Sequence, residues 1–288
     1  MKYSALILGL SASLLAEEAK PTLFDQIIQP KVSFQSDFLS EANFEGFDAS
    51  VQTYKQQLKV NNELLGISYS RWDFDWDNEN DLPFYRGKTP IESMESIRLF
   101  ANLPLPINDQ WFMLNSVNVN ATYEEEYSDS FGAGILSFFS YRVDTEHAVQ
   151  IGVLANYHPV KTLVLPVMGY TYRIRETDGL QLLLGFPRAY VGYHLNPRLL
   201  LNAGMVFSQA VIRLADQSGI EPKGFTEAKD YQSNVGIRYQ INDDFELTAD
   251  LLYAFKRDFT IYNHQADEID AYSIEPSAGA IVKLQYLF

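Results

Sequence analysis

Two neighbouring stretches near the end of the chain alternate between apolar and polar residues with a period of two. Residues 231–241, YQSNVGIRYQI, and residues 245–256, FELTADLLYAFK, each place mostly aromatic or aliphatic side chains on one face and mostly polar side chains on the other. Successive side chains of a β-strand point to opposite faces, so the pattern predicts two strands. Their length suits the ~9–11 residues that cross a bilayer at a tilt.

The same alternation recurs along most of the chain. It is clear at 115–123, 149–157 and 168–175, and weaker at 31–39, 49–60, 63–75, 94–103, 132–142, 179–185, 188–194, 198–214 and 277–288. A break at Phe186-Pro187 separates two of these strands, because proline cannot donate to a central ladder. The pattern predicts an all-β fold, a closed antiparallel transmembrane β-barrel of fourteen strands.

Two alternatives to this barrel remain open. A twelve-strand barrel would result if the first strand lay outside it and two weaker strands merged. A two-sheet sandwich would also alternate, but its strands are shorter and its polar face would be the outer one.

The connections between the strands fall into two kinds. Short ones carry turn residues, such as Asn242-Asp243-Asp244, whereas long ones run over 76–93, 124–131, 215–229 and 260–275. In bacterial outer-membrane barrels the short turns face the periplasm and the longer loops face outward. With fourteen strands the two kinds alternate, and both termini are expected in the periplasm.

The chain ends on the apolar sequence AIVKLQYLF, residues 280–288. Phe288, Tyr286, Leu284 and Val282 share one face of this predicted strand. The ending resembles the terminal strand of an outer-membrane barrel, and the resemblance implies recognition of these residues by the barrel-assembly machinery. Residues 169–204 are also similar to a segment of outer-membrane barrel proteins grouped as a family of unknown function. That similarity implies a barrel and assigns no functional residue.

The N-terminus predicts export. Lys2 is followed by an apolar run from Ala5 to Leu15 and then by acidic residues, which indicates a signal peptide at 1–16. An uncleaved anchor is the alternative, although the run is too short to span a bilayer. We therefore expect a periplasmic segment at 17–30 and an outer-membrane barrel at 31–288, surrounded by outer-membrane lipid and lipopolysaccharide.

Charge and composition narrow the partners. The 288 residues carry a formal net charge of -15, which argues against a nucleic-acid partner, and the absence of cysteine excludes thiolate metal sites. We expect no cofactor and no metal. The predicted long loops are rich in acids, which suggests a cation-attracting mouth, carboxylates that share divalent cations with lipopolysaccharide phosphates, or simple loop solubility.

Charged residues also lie on the predicted inward face. They form a candidate lumenal network that either closes a pore or lines it: Arg98, Arg173, Arg175, Arg238, Glu246, Asp250, Lys256 and Lys283. A three-residue hairpin loop at 242–244 would place Arg238 opposite Thr248. The guanidinium would then lie diagonal to both Glu246 and Asp250, within reach of a bridge.

The run RWDFDWDNEND, residues 71–81, is the strongest candidate for chemistry. Asp73, Asp75 and Asp77 share a face with Arg71 and predict an acidic rim, while the aromatic residues between them are expected in the membrane-interface girdle. Paired carboxylates can tune one another for acid–base catalysis. A hydrolase would still need partners such as Asp258 and His264, and the sequence does not bring these together.

The sequence thus favours a channel or binding barrel for small polar solutes, without catalytic residues. An outer-membrane hydrolase with a rim site and a structural barrel with a plugged lumen are the alternatives.

The terminal strand generates a first prediction. Phe288→Ala, or deletion of Phe288, should lower the amount of assembled barrel without changing synthesis, because the assembly signal would be lost. Heat-modifiable migration of the folded form on electrophoresis measures this amount. Normal levels of folded barrel in the variant would contradict the assigned role.

Overall fold

The computed structural model describes residues 30–174 and 177–288. Fifteen β-segments follow one another: β1 (Lys31–Asn43), β2 (Ser50–Asn61), β3 (Leu65–Asp77), β4 (Ser93–Pro106), β5 (Trp111–Tyr123), β6 (Phe131–Arg142), β7 (His147–Tyr157), β8 (Thr162–Tyr172), β9 (Gly179–Phe186), β10 (Arg188–Asn196), β11 (Leu199–Arg213), β12 (Phe225–Gln240), β13 (Phe245–Tyr262), β14 (Glu268–Ile274) and β15 (Ser277–Leu287). A short 3-10 helix, Glu79–Asp81, follows β3. Within the described residues, no helix is long and apolar enough to cross a membrane.

The segments close into one antiparallel barrel. Neighbours in sequence pair from β1 to β13, and β1 also pairs with β15. Both β14 and β15 pair with β13, along its second and first halves respectively, so they are two parts of one barrel strand interrupted at Glu275-Pro276. The predicted fourteen-strand barrel is therefore confirmed, and the sandwich and twelve-strand alternatives are wrong.

The alternation separates an outer face from an inner one. Val235 and Ile237 on β12 are exposed on the outside, whereas Asn234 and Arg238 on either side of this pair point inward. Exposed apolar side chains surround the barrel, including Phe34, Leu58, Ile67, Leu99, Val119, Ile151, Met168, Leu184, Val191, Leu201, Leu251 and Val282. In water this belt would favour association, but in a bilayer it is the face that lipid solvates.

One strand differs from its predicted position. Alternation at 168–175 predicted a strand there, but β8 covers Thr162–Tyr172 and pairs with β7 from Tyr157 onward. Pro166 weakened the pattern in the first half of β8. It is accommodated on the outer face, opposite Val153. The strand ends before Arg173, which has a left-handed φ of 47°.

The strands differ in length around the barrel. Strands β6–β10 contain 8 to 12 residues, whereas β11–β13 contain 15 to 18. Beyond the short strands, Arg213 of β11 pairs in parallel with Tyr123 of β5. Tyr123 and Arg213 are the last residues of β5 and β11, so the contact joins the loop ends of two strands that are not neighbours in the barrel wall.

An apolar core fills the interior at the loop end and is named the cap here. It combines side chains from β1, β2, β13 and β14 with side chains from the loops after β1, β3 and β11: Ala42, Phe44, Ala49, Val51, Leu82, Phe84, Ile91, Leu214, Ile220, Phe259, Ile261 and Ile274. Phe44 is 1% exposed and lies between the rings of Trp76, Phe84 and Phe259 at centroid distances of 5.6–6.0 Å. The loops therefore fold inward over the lumen.

The cap corrects the predicted aromatic girdle. Trp72, Phe74 and Trp76 of β3 point into the barrel, because Trp72 lies opposite inward-facing Lys55 and Trp76 opposite buried Val51. Trp76 Nε1 donates a hydrogen bond to the carbonyl of Ile91 at 2.7 Å. Phe74 and Trp76 therefore pack against the cap, and the ring of Trp72 lies 4.9 Å from the ammonium of Lys55.

Truncating the cap should destabilise the barrel. Phe44→Ala removes a fully buried ring, so the free energy of unfolding should fall by about 3–5 kcal/mol. Urea-induced unfolding in detergent micelles, followed by tryptophan fluorescence, measures this change. Phe34→Ala is the matched control, since Phe34 lies on the outer face and is 48% exposed. Equal losses in the two variants would contradict a packed cap.

Candidate solute-binding lumen

Three bases line one side of the lumen between the cap and the turn end, and they are named the basic wall: Lys59, Arg98 and Lys283. Lys59 lies opposite Ser68, and Ser68 lies opposite Arg98, so two cations occupy one row across three strands. Lys283 lies on β15, separated from β2 only by β1. The ladders thus fix three positive charges on five consecutive strands.

None of these bases forms an ion pair with a carboxylate in the described part of the chain. The ammonium of Lys59 lies 4.8 Å from the ring centroid of Phe100, which occupies the space above Gly66. Lys55, on the same face of β2, differs because its ammonium lies 3.7 Å from a carboxylate oxygen of Asp37. The basic wall therefore carries positive charge that no ion pair balances within the described residues.

The predicted hairpin register at 242–244 is confirmed. Arg238 lies opposite Thr248, with Glu246 and Asp250 on either side of it. Arg238 Nε is 3.7 Å from Glu246 Oε1, whereas Asp250 Oδ1 accepts a hydrogen bond from Asn202 Nδ2 at 2.9 Å. The carboxylates are thus divided between two partners, and Glu246 is the one that Arg238 approaches.

The opposite side of the lumen is apolar. Six inward side chains of β5–β8 form the apolar wall: Phe112, Leu114, Leu136, Phe138, Leu154 and Val167. Leu136 and Leu154 remain half-buried, so part of their surface faces the lumen. In a ring of fourteen strands, β6–β8 lie six or seven strands away from β15. The β6–β8 part of the apolar wall therefore faces Lys283, whereas its β5 part adjoins β4, the strand that carries Arg98.

Lys256 does not belong to the lumen, contrary to the prediction. A β-bulge in β13 leaves Phe255 unpaired, so Lys256 lies opposite outward-facing Tyr231. Its ammonium lies 5.8 Å from the Tyr231 ring and 3.6 Å from an oxygen of Asp258. The bulge brings Arg257 inward instead, where the guanidinium is 3.3 Å from Asp230. An extra residue shifts the alternation of every later residue in the strand.

Two further predicted lumenal arginines are not placed in the lumen. Arg173 follows the end of β8, and its guanidinium contacts Glu146 and Asp178 at 3.6 and 3.2 Å across neighbouring turns. The prediction was wrong because the strand ends earlier than the alternation suggested. Arg175 lies outside the described residues.

The acidic rim residues point away from the lumen. Asp73 lies opposite exposed Tyr54, and its carboxylate is paired with Arg71 at 2.9 Å. Asp75 and Asp77 continue the same outer face beyond the apolar belt. Asp258 is paired with Lys256, and His264 lies in the loop after β13. The geometry therefore does not assemble the groups that the hydrolase interpretation requires.

Acids of the long loops tie the loops together. Glu124 Oε2 accepts a hydrogen bond from the backbone of Ala215 at 2.8 Å, and burial raises the pKa of this carboxyl. The hydrogen bond from Arg213, at 2.8 Å, lowers the pKa of Asp216. Arg86 pairs with Glu221 and so joins the loop after β3 to the loop after β11. Some of the acidic side chains of the long loops thus form hydrogen bonds and ion pairs within the protein.

A buried carboxylate joins the short strands to the long ones, and the sequence did not predict it. Glu227 is fully buried, and its Oε2 accepts hydrogen bonds from Tyr262 and from Lys161 of the β7–β8 loop at 2.9 and 3.1 Å. Burial disfavours the charged form of Lys161, but the hydrogen bonds with Glu227 and Tyr262 prevail and raise its pKa. Residues 215–229 were interpreted as a loop, so no sequence signal indicated this contact.

The terminal residues lie where the alternation predicted. Val282, Leu284, Tyr286 and Phe288 are on the outer face, and Tyr286 contacts the rings of Phe245 and Phe288 at centroid distances of 4.8 and 4.6 Å. Their role in assembly stays a prediction. The predicted signal peptide at 1–16 and the predicted periplasmic segment at 17–30, apart from Pro30, lie outside the described residues.

Comparisons with known proteins concern the barrel fold alone. No protein-family model matches the sequence, and no curated protein matches it. Among solved structures, the KdgM porin in complex with disordered oligogalacturonate is 9% identical, with a TM-score of 0.41 over 90% of this chain and 99% of that one. The NanC porin is 9% identical, with a TM-score of 0.43 over 88% of this chain and 98% of that one. The outer membrane protein Omp33 of Acinetobacter baumannii is 10% identical, with a TM-score of 0.37 over 90% of this chain and 98% of that one.

The Arg238 arrangement can be tested by a mutational cycle. Arg238→Ala leaves Glu246 without its base, so the free energy of unfolding should fall by about 1–3 kcal/mol. Glu246→Gln in that background should restore part of the loss. Asp250→Asn is the control, since Asp250 is hydrogen-bonded to Asn202. Strictly additive effects of Arg238→Ala and Glu246→Gln, measured by urea unfolding, would contradict the pair.

Proposed function

We propose that this protein is an outer-membrane channel for small polar solutes. The observation that carries the proposal is the pairing of a lipid-compatible outer belt with a lumen lined by charged and amide side chains. A solid structural barrel would not need an excess of cations inside, because such charges must be hydrated or paired. The predicted signal peptide and terminal strand support export to this membrane.

The cap makes the proposed channel a gated one. Its position at the loop end supports an outward-facing closure, since long loops face the outside in such barrels. The cap is assembled from loops and strand ends rather than from the barrel wall. Solutes would pass when its loops separate, while the wall of the barrel stays intact.

The cap also favours a second function. If its apolar core never opens, the protein is a structural barrel plugged at its loop end. The densely packed rings around Phe44 support that alternative, and it makes the opposite prediction for conductance.

Conductance across a planar bilayer distinguishes the two functions. The refolded protein should conduct small ions in brief openings, and Phe44→Ala combined with Phe259→Ala should lengthen them because the cap is loosened. Phe34→Ala should behave like the unmodified protein.

Two outcomes would count against the channel. A barrel that is folded by heat-modifiable migration, yet silent both with and without the cap substitutions, would support the plugged structural barrel. Conductance that Phe34→Ala alters as strongly as the cap substitutions do would show that the cap is not the gate.

A further inference from the structure

We infer that the lumen binds organic anions with an apolar body, such as aromatic carboxylates, between the basic wall and the apolar wall. The inference rests on the proposed function, because a solute must enter the lumen to reach these walls. It adds the chemical class of the solute and the side chains that recognise it.

The basic wall supplies the anion site. Lys59 and Arg98 lie in one row, and Lys283 projects from the same face two strands beyond Lys59. Like charges held together repel one another, and each loses some of its hydration inside the barrel. A carboxylate between them relieves the repulsion and accepts charge-assisted hydrogen bonds, which are stronger than neutral ones.

Neighbouring carboxylates do not already fill this role. Asp37 forms an ion pair with Lys55, and Glu246 forms one with Arg238. Asp250 accepts a hydrogen bond from Asn202. Glu246 and Asp250 also act on Lys283 from a longer distance, whereas the charged neighbours of Lys59 are the bases Lys283, Arg98 and Lys31. Lys59 and Arg98 therefore form the centre of the site for an anion from outside, with Lys283 at its edge.

The apolar wall supplies the second half of the site. Leu136 and Leu154 keep part of their surface toward the lumen, and Phe138 and Val167 pack behind them. Apolar surface facing water is unfavourable by about 25 cal/mol per Å² and is relieved by an apolar ligand surface. A wall that served only hydrated ions would gain nothing from these leucines.

The position of the two walls defines the ligand. Lys283 lies across the lumen from β6–β8, Arg98 lies on the strand next to the β5 part of the apolar wall, and both walls lie on the turn side of the cap. An inorganic anion would use the basic wall alone, and a neutral apolar molecule would use the apolar wall alone. A carboxylate attached to a ring or a short alkyl chain contacts both, so its affinity should exceed that of either.

Three probes separate the contributions. Phenylacetate carries both features, acetate lacks the ring, and phenylacetamide lacks the charge. Binding to the full-length protein in lipid nanodiscs is measured by calorimetric titration, with empty nanodiscs subtracted for partitioning into lipid. Phenylacetate should bind at least tenfold more tightly than either of the other probes.

Substitutions then test how much each wall contributes to binding. The double variant Lys59→Gln with Lys283→Gln should weaken the binding of phenylacetate about tenfold. The control double variant is Lys256→Gln with Lys223→Gln, which changes the net charge equally at two exposed bases. The control should leave the binding of phenylacetate unchanged. Leu136→Asn with Leu154→Asn should weaken phenylacetate and leave acetate unchanged. If a double variant fails to assemble, Arg98→Gln tests the basic wall and Leu136→Asn tests the apolar wall.

Each result decides one question. Equal affinities for phenylacetate and phenylacetamide, or equal losses in the basic-wall variant and its control, would overturn the anion site. Equal affinities for phenylacetate and acetate would overturn the apolar half. Because binding is measured without current, a barrel that binds phenylacetate as described but never conducts refutes the channel and keeps the site. A conducting barrel without this preference refutes the site alone.

Discussion

The structure depends on one constraint, which is that a bilayer offers no water to the backbone. Every N–H and C=O group in the hydrocarbon region must find its partner within the protein, and a closed ladder is the only arrangement of strands that achieves this. Pairing of β1 with β15 closes that ladder. Once the ladder is fixed, the side-chain period of two decides which residues meet lipid and which meet the lumen.

The alternation was sufficient to predict the fold but not every face. Val235, Ile237 and Leu251 were placed correctly because lipid demands apolar residues on the outer face of that region. On β3 the same phase continues past the apolar belt, where lipid no longer selects the side chains. Asp73, Asp75 and Asp77 can therefore occupy the outer face, and the aromatic residues between them turn inward to the cap.

Local irregularities account for the other errors. The bulge at Phe255 has no sequence signal of its own, so the phase of Lys256 could not be predicted. The long loops were overestimated for a different reason. In 225–230, Phe225, Thr226 and Glu227 are all buried, and in 268–274 the residues from Glu268 to Ala271 are all exposed, so neither strand alternates between a buried and an exposed face. The lumen was the hardest part to predict. The basic neighbours of Lys59 lie on strands that are not paired with its own, because β3 separates it from Arg98 and β1 separates it from Lys283.

The seam that closes the barrel has a consequence for the order of folding. It joins nine residue pairs, from Lys31–Leu287 to Leu39–Gly279, between the two ends of the described chain. Every other ladder of the wall can form locally, between strands connected by a turn or loop. Bringing distant segments together costs more loop-closure entropy than forming a hairpin. We therefore expect a curved, open sheet as the late intermediate, with its two unpaired edges protected until the first and last strands meet.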